Sequence, residues 1–214
     1  MTVPTPTLIF RFIHIDNLEI CLRRGALYAP SHTPQNGLRY RTIHNIDIQQ
    51  VRRTTTIPCG PGGVIHDYVS FYLGPRSPML FQLHTGRIPD YQEGQAPLIY
   101  LISTAQIIQQ SGRAFVFSDG HGIVSYTSWY DDLADLGRLD WSTIYATSWN
   151  NTVNDMDRQR RKQAEFLVHK KCDWRLIKKI GVIDIRMKSS VERILRSFPI
   201  SLRPMVIIKP EWYY

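Results

Sequence analysis

Apolar residues in this chain fall in short runs, each about one β-strand long and closed by glycine, proline or polar turn residues. The runs do not alternate regularly with long helical stretches, so the pattern selects an α+β fold over a doubly wound parallel sheet. Residues 8–15 are apolar on both faces apart from Arg11 and His14, as expected of a buried strand. Strands are also expected over 64–73, 98–102, 114–117, 182–185 and 204–209. Residues 164–170 alternate, with Ala164, Phe166 and Val168 on one face and Glu165, Leu167 and His169 on the other. Capping signals place a helix after Asp16 and Glu19, stopped by Gly25, and another after Ser103 and Gln106, stopped by Gly112. Asp173 is expected to cap a helix to Ile180, and Ser189 with Glu192 to open one ending before Pro199. Residues 125–149 read as two short helices parted near Gly137. The polar stretch 29–63 holds one short helix, over 43–53, and otherwise reads as a functional loop or a disordered segment.

No linker divides the 214 residues, so one domain spanning 1–214 is expected. Three widely spaced cysteines argue against a disulfide framework and a cysteine zinc site, and point to a reducing cytoplasm. The first residues lack the basic start of a secretory signal, and no apolar run is long enough for a membrane span. The formal charge of +8 favours a polyanionic partner, nucleic acid being the commonest. No G-x-G-x-x-G opens a helix and no Walker phosphate loop is present. Gly60-Pro61-Gly62-Gly63 precedes a strand and reads as a tight turn. The seven histidines show no ligand spacing, so no metal is expected.

Glu165 stands out as a carboxylate in an apolar strand, just after the basic run Arg158, Arg160, Arg161 and Lys162. It is either a solvent-face residue or a partly buried group able to stabilise a cationic transition state. The run is either a solvated face or a guide for a polyanion. His14 is either a satisfied core histidine or a ligand, and His121 lies in an expected turn, where functional side chains concentrate. Phe71 and Tyr72 end an aromatic strand that either packs the core or clamps a planar ring. Arg76 follows at its end, placed to meet a phosphate. Tyr126, Trp129 and Tyr130 either stack bases or pack a core helix.

Several segments together resemble the DarT family, the DNA ADP-ribosyltransferase toxins of bacterial toxin–antitoxin pairs. They are His14-Ile15-Asp16-Asn17-Leu18, Pro61-Gly62-Gly63-Val64 with His66-Asp67-Tyr68-Val69 and Phe71-Tyr72, Pro75-Arg76-Ser77-Pro78-Met79-Leu80, Phe115-Val116-Phe117 with His121-Gly122, and Lys162-Gln163-Ala164-Glu165-Phe166-Leu167-Val168. The resemblance covers nearly the whole chain. It implies an ADP-ribosyltransferase-like fold, with two small, mostly antiparallel sheets around an NAD⁺ cleft and helices at the periphery. It implies that Glu165 is the catalytic glutamate and Arg52 the catalytic arginine, with Arg53 the alternative one position on. It places His14, Asn17, Leu18, Phe71, Tyr72 and His121 at the NAD⁺ co-substrate. Arg76, Met79, Arg158, Arg160 and Arg161 are expected at the DNA strand. The implied reaction moves ADP-ribose from NAD⁺ onto thymidine in single-stranded DNA, and the implied partner is a DarG-type macrodomain antitoxin. Rival expectations are an ADP-ribosyltransferase acting on RNA or protein, and a non-enzymatic single-strand-binding module. The family often has a second histidine where Arg11 stands and a proline where Ser70 stands. Strand alternation separates Arg11 from Phe10 and Phe12, so neither change is expected to touch Glu165 or Arg52.

Overall fold

The structure, a computed structural model, describes residues 2–214. In chain order the strands are β1 (Leu8–His14), β2 (Ala26–Tyr28), β3 (Tyr68–Tyr72), β4 (Leu98–Thr104), β5 (Phe115–Ser118), β6 (Trp129–Tyr130), β7 (Glu165–His169), β8 (Lys171–Asp173), β9 (Lys179–Val182) and β10 (Met205–Ile208). The helices are α1 (Asn17–Arg24), α2 (Ile46–Thr54), α3 (Pro78–His84), α4 (Ala105–Gln110), α5 (Trp141–Ile144), α6 (Arg158–Arg161) and α7 (Ile185–Arg196).

Eight strands form one sheet in the order β10-β9-β4-β1-β3-β7-β5-β6, and β2 with β8 forms a second. Among the described residues only β9 and β10 run parallel. The α+β class with two mostly antiparallel sheets is as expected, one sheet being large and the other small. Strand β1 pairs with β4 along its whole length, yet meets β3 at the single register pair Phe10↔Tyr72. Beyond that rung β1 and β3 part, and the opening between them becomes the main cleft. Strand β3 pairs in full with β7, so Tyr72 lies opposite Glu165.

The apolar patterning explains the centre. Leu98, Ile99, Tyr100, Leu101 and Ile102 on β4 are all buried because this strand has helices and loops over both faces. Strand β7 is likewise buried on both faces from Glu165 to Val168, since β3 and β5 flank it and core packs on each side.

Local signals held where no tertiary partner competed. Gly25 ends α1 in the left-handed region at φ 65°, its N–H returning to the Leu22 carbonyl. Elsewhere tertiary contacts won. Asp16 makes no cap; its carboxylate pairs with Arg41 instead. Ser103 donates to the Leu176 carbonyl, so Thr104 caps α4. Asp173 ends β8 and binds Arg113, leaving only one helical turn at Trp174–Leu176 before β9. Asp184 caps α7 through the Met187 N–H, so the preceding strand ends at Val182 and Ser189 lies inside the helix. Residues 65–67 form a single turn before β3, and Trp129–Tyr130 is a short strand where a helix was expected.

Candidate active site

Arg52 sits in the last turn of α2 and points into the parting of β1 and β3. It reaches Glu165, at the start of β7, with a two-pronged contact. Its Nη1 donates to Oε1 at 2.9 Å and its Nη2 to Oε2 at 2.6 Å. Both residues are buried, with Glu165 only 2% exposed. Sealing two charges from water is costly, and this planar fork is the geometry that best offsets it. The Gly122 N–H donates a further bond to Oε1 at 3.0 Å. Burial alone would raise the Glu165 pKa, but Arg52, His121 and the Gly122 N–H outweigh it and hold it below the ordinary value. The carboxylate is therefore ionised at neutral pH, and Glu165 keeps Arg52 above its ordinary value despite burial.

A tight turn between β5 and β6 delivers that N–H. Ser118 Oγ donates to the Gly120 carbonyl and accepts from the Glu165 N–H. Arg160 closes the turn from outside: its carbonyl accepts the His121 N–H, and its guanidinium binds Asp119 and Asp157. A Cβ at position 120 would lie 2.3 Å from Arg160 Nη1, so a larger residue there would displace the Arg160 side chain.

The pair lies on the wall of an open cleft with a cavity volume of about 160 Å³. Phe71, Tyr72, Met79 and His121 line it, together with Arg11, His44, His66 and Ser70. Burial pushes His44 down to about 4, with Arg11, Arg52 and His66 adding to the effect. Burial also lowers His66 and His121. A second, smaller cavity continues from the first and is lined by Asn17, Tyr40 and Arg41. Among the described residues, no group of three or more His, Cys, Asp or Glu side chains could hold a metal ion.

The remaining expected residues fall elsewhere. His14 is buried outside both cavities, its Nδ1 accepting the Asp16 N–H and its Nε2 facing Glu93 at 3.5 Å. Leu18 is packed in the core and offers no side-chain surface to the cleft. Arg76 lies over the Tyr214 ring, 4.5 Å from its centroid, and does not line the cleft. In the basic run, Arg160 is spent on Asp119 and Asp157, and Arg161 on Asp140 and Asp155. Arg158 has no carboxylate partner among the described residues and donates one bond to the Ser148 carbonyl. Tyr126 is exposed, Trp129 packs against Gly122, and Tyr130 stacks on Phe117.

The expectation about the two departures from the family pattern is corrected. Ser70 Oγ accepts a bond from Arg52 Nη2 at 2.8 Å, and Arg11 Nη1 donates to the Ser70 carbonyl at 2.8 Å. Ser70 therefore touches the Arg52 fork directly, whereas Arg11 reaches it only through the Ser70 backbone. Sequence reasoning missed Arg11, His44 and Ser70 as lining residues, because strand alternation says nothing about where two strands part.

The family described as ssDNA thymidine ADP-ribosyltransferase, DarT, matches residues 10–214. A DNA ADP-ribosyl transferase of Thermus sp. (strain 2.9) is 42% identical over 213 residues, covering all of this chain and 99% of that one. The solved structure of Thermus sp. 2.9 DarT in complex with ADP-ribosylated ssDNA superposes with a TM-score of 0.93 over the whole chain and 99% of its own, at 42% identity. The same protein in complex with NAD⁺ superposes at 0.89 with 41% identity and full coverage of both chains. With the family model matching residues 10–214 and both sequence and fold matched over the whole chain, this chain belongs to the DarT family.

Proposed function

We infer that this chain transfers ADP-ribose from NAD⁺ onto thymidine in single-stranded DNA and releases nicotinamide. Family membership carries the reaction class, and the single structural observation that supports its placement is the Arg52–Glu165 fork on the cleft wall. The bond from nicotinamide to ribose breaks with its electron pair leaving on nicotinamide. The ribosyl carbon becomes oxocarbenium-like, as in glycoside cleavage. The ionised Glu165 stabilises that charge. Its Oε1 already accepts from Arg52 and Gly122, whereas Oε2 accepts only from Arg52, leaving a lone pair for a ribose hydroxyl. A thymine ring nitrogen then bonds to the carbon and gives up its proton to the Glu165 carboxylate acting as general base. In a duplex that nitrogen is paired, so the acceptor must be unpaired or extruded.

In this reading Arg52 fixes the carboxylate rather than acting alone, and Phe71, Tyr72 and His121 surround the nicotinamide end of the cleft. His14, Asn17 and Leu18 act by holding the first strand and helix in place. Asn17 does so through two bonds with the backbone of residue 41. Met79, Arg76 and Arg158 are assigned to the DNA strand, with Arg160 and Arg161 supporting them through their aspartate pairs. The cellular reading is a bacterial cytoplasmic toxin held in check by a DarG-type macrodomain antitoxin that removes the mark. For the described residues, no helix is long and apolar enough to cross a membrane.

The test is incubation with NAD⁺ and short single-stranded oligonucleotides of each base, followed by intact mass. Addition of one ADP-ribose to thymidine-containing strands alone is expected. Modification of RNA or of protein instead would move the acceptor. Intact NAD⁺ with every strand unmodified would overturn the reading.

A further inference from the structure

We propose that Tyr214 is a positioning residue for the acceptor strand, joining the two separate segments that carry the strand contacts. This rests on the reading of the acceptor as single-stranded DNA. The groups assigned to the strand come from distant parts of the chain. Arg76 lies in the turn after β3 and Met79 in α3, whereas Arg158 opens α6 and donates to the carbonyl of Ser148, the neighbour of Trp149. Tyr214 stands between these segments. Its hydroxyl donates to the Arg76 carbonyl at 2.6 Å and accepts the Trp149 indole N–H at 2.6 Å. Its ring lies under the Arg76 guanidinium, 4.5 Å from the centroid, and meets Phe81 of α3 edge-on at 5.1 Å. Phe81 also meets Trp149 edge-on at 5.7 Å, so the three aromatic rings form one cluster.

The junction bears on the cleft through α3. Phe81 and His84, three positions apart on one face of that helix, pack on Tyr214, whereas Met79 and Gln82 on another face line the cleft. Met79 Sδ accepts the Tyr72 hydroxyl at 3.7 Å, and Tyr72 lies opposite Glu165 in the sheet. The backbone of Arg76 is a second, independent sign. Its φ of 54° falls in the left-handed region, which is costly for a residue with a Cβ and persists only where neighbours hold it. The Tyr100 hydroxyl accepts the Arg76 N–H at 3.2 Å while Tyr214 grips the Arg76 carbonyl, so the turn is held from both sides just before Ser77 caps α3. Gln95 holds the backbone of Tyr214 separately, accepting its N–H at 2.9 Å and donating to its carbonyl. Loss of the phenol hydroxyl therefore leaves residue 214 in place and removes only its link between the segments.

The competing role for Tyr214 is structural, as packing for α3. Steady-state transfer onto a thymidine oligonucleotide by the full chain, with strand and NAD⁺ varied in turn, separates the two. Tyr214→Phe keeps the ring and loses both hydroxyl bonds. It is expected to raise KM for the strand by about fivefold or more, the scale of a lost hydrogen bond, with KM for NAD⁺ within about twofold. Trp149→Phe removes the indole N–H from the same link and is expected to raise the same constant. The double variant is expected to be no worse than Tyr214→Phe alone, because the two side chains share one interaction. A lower unfolding midpoint with both KM values held, a parallel rise of both, or additive effects of the two variants would each overturn the assignment while leaving the transferase reading intact. A wild-type chain that consumes NAD⁺ but modifies no DNA strand would instead overturn the acceptor reading, and this inference with it.

Discussion

Two groups of basic residues occupy this molecule in opposite ways. The run Arg158 to Lys162 is dense in sequence, but three of its four cations are engaged internally. Arg160 and Arg161 are bound by aspartates, and Lys162 is buried, its Nζ donating to the carbonyls of Ile144 and Ala146. The cleft arginines, Arg11 and Arg52, are isolated in sequence yet face the cavity where an anionic dinucleotide would lie. Charge density along a chain therefore says little about where a polyanion or a phosphate binds. What decides is whether the fold supplies each cation with its own carboxylate.

The largest effect should come from the cleft side. Glu165→Ala is expected to lower the rate of ADP-ribose transfer by about two orders of magnitude or more, the scale of losing a preorganised electrostatic stabiliser. The measurement is single-turnover transfer onto a thymidine oligonucleotide, with a thermal melt to show that the variant is folded. Transfer at the wild-type rate would break the comparison at its centre.

On the other side, Arg160→Gln should act on stability. It removes two ion pairs and unpins the turn that presents the Gly122 N–H, so a loss of about 2 kcal/mol is expected in urea unfolding. DNA affinity and its salt dependence should stay near wild type. A stable variant with weakened DNA binding would return Arg160 to the strand-binding face.

Lys162 provides a pH test. Burial lowers its pKa in the folded chain from 10.5 to about 7. Between those values the unfolded chain holds more protons than the folded one, so stability rises with pH across that window and falls as pH drops towards 7. Between pH 7 and 9 the gain should be about 2 kcal/mol in wild type and absent in Lys162→Met. Parallel stability–pH curves for the two proteins would show that burial does not lower the Lys162 pKa and that the side chain stays an ammonium in the fold.

Much of this was legible in the residues. Glu165 was visible as a carboxylate in an apolar strand, because such a placement needs a reason in solvent or in chemistry. The strands of the sheet were visible from burial patterning, and Gly25 from its role as a helix stop. Arg52 was reachable only through the family resemblance, since nothing in Val51-Arg52-Arg53 distinguishes one arginine from the next. The partners of Arg160 and Arg161 were out of reach for a physical reason. Asp119 and Asp140 come from turns about 20 to 40 positions away, and local periodicity carries no record of tertiary pairing. Asp173 misled for the same reason: a good local cap was outbid by Arg113 across the fold.

The smallest expected effect is also the finest test of the comparison. Arg158 is the member of the run without a carboxylate, and its remaining N–H groups are not sealed from solvent. If it meets a phosphate of the strand, Arg158→Gln should lessen the slope of log affinity against log salt by about 0.7, the release of one counter-ion from single-stranded DNA. Arg161→Gln, measured beside it, should leave the slope alone, because Asp140 and Asp155 already neutralise that guanidinium. Two arginines three positions apart would then differ for one reason, the presence or absence of an internal aspartate. Equal changes in slope would show that the strand competes successfully for paired arginines, and that the run acts as one cationic surface despite its ion pairs.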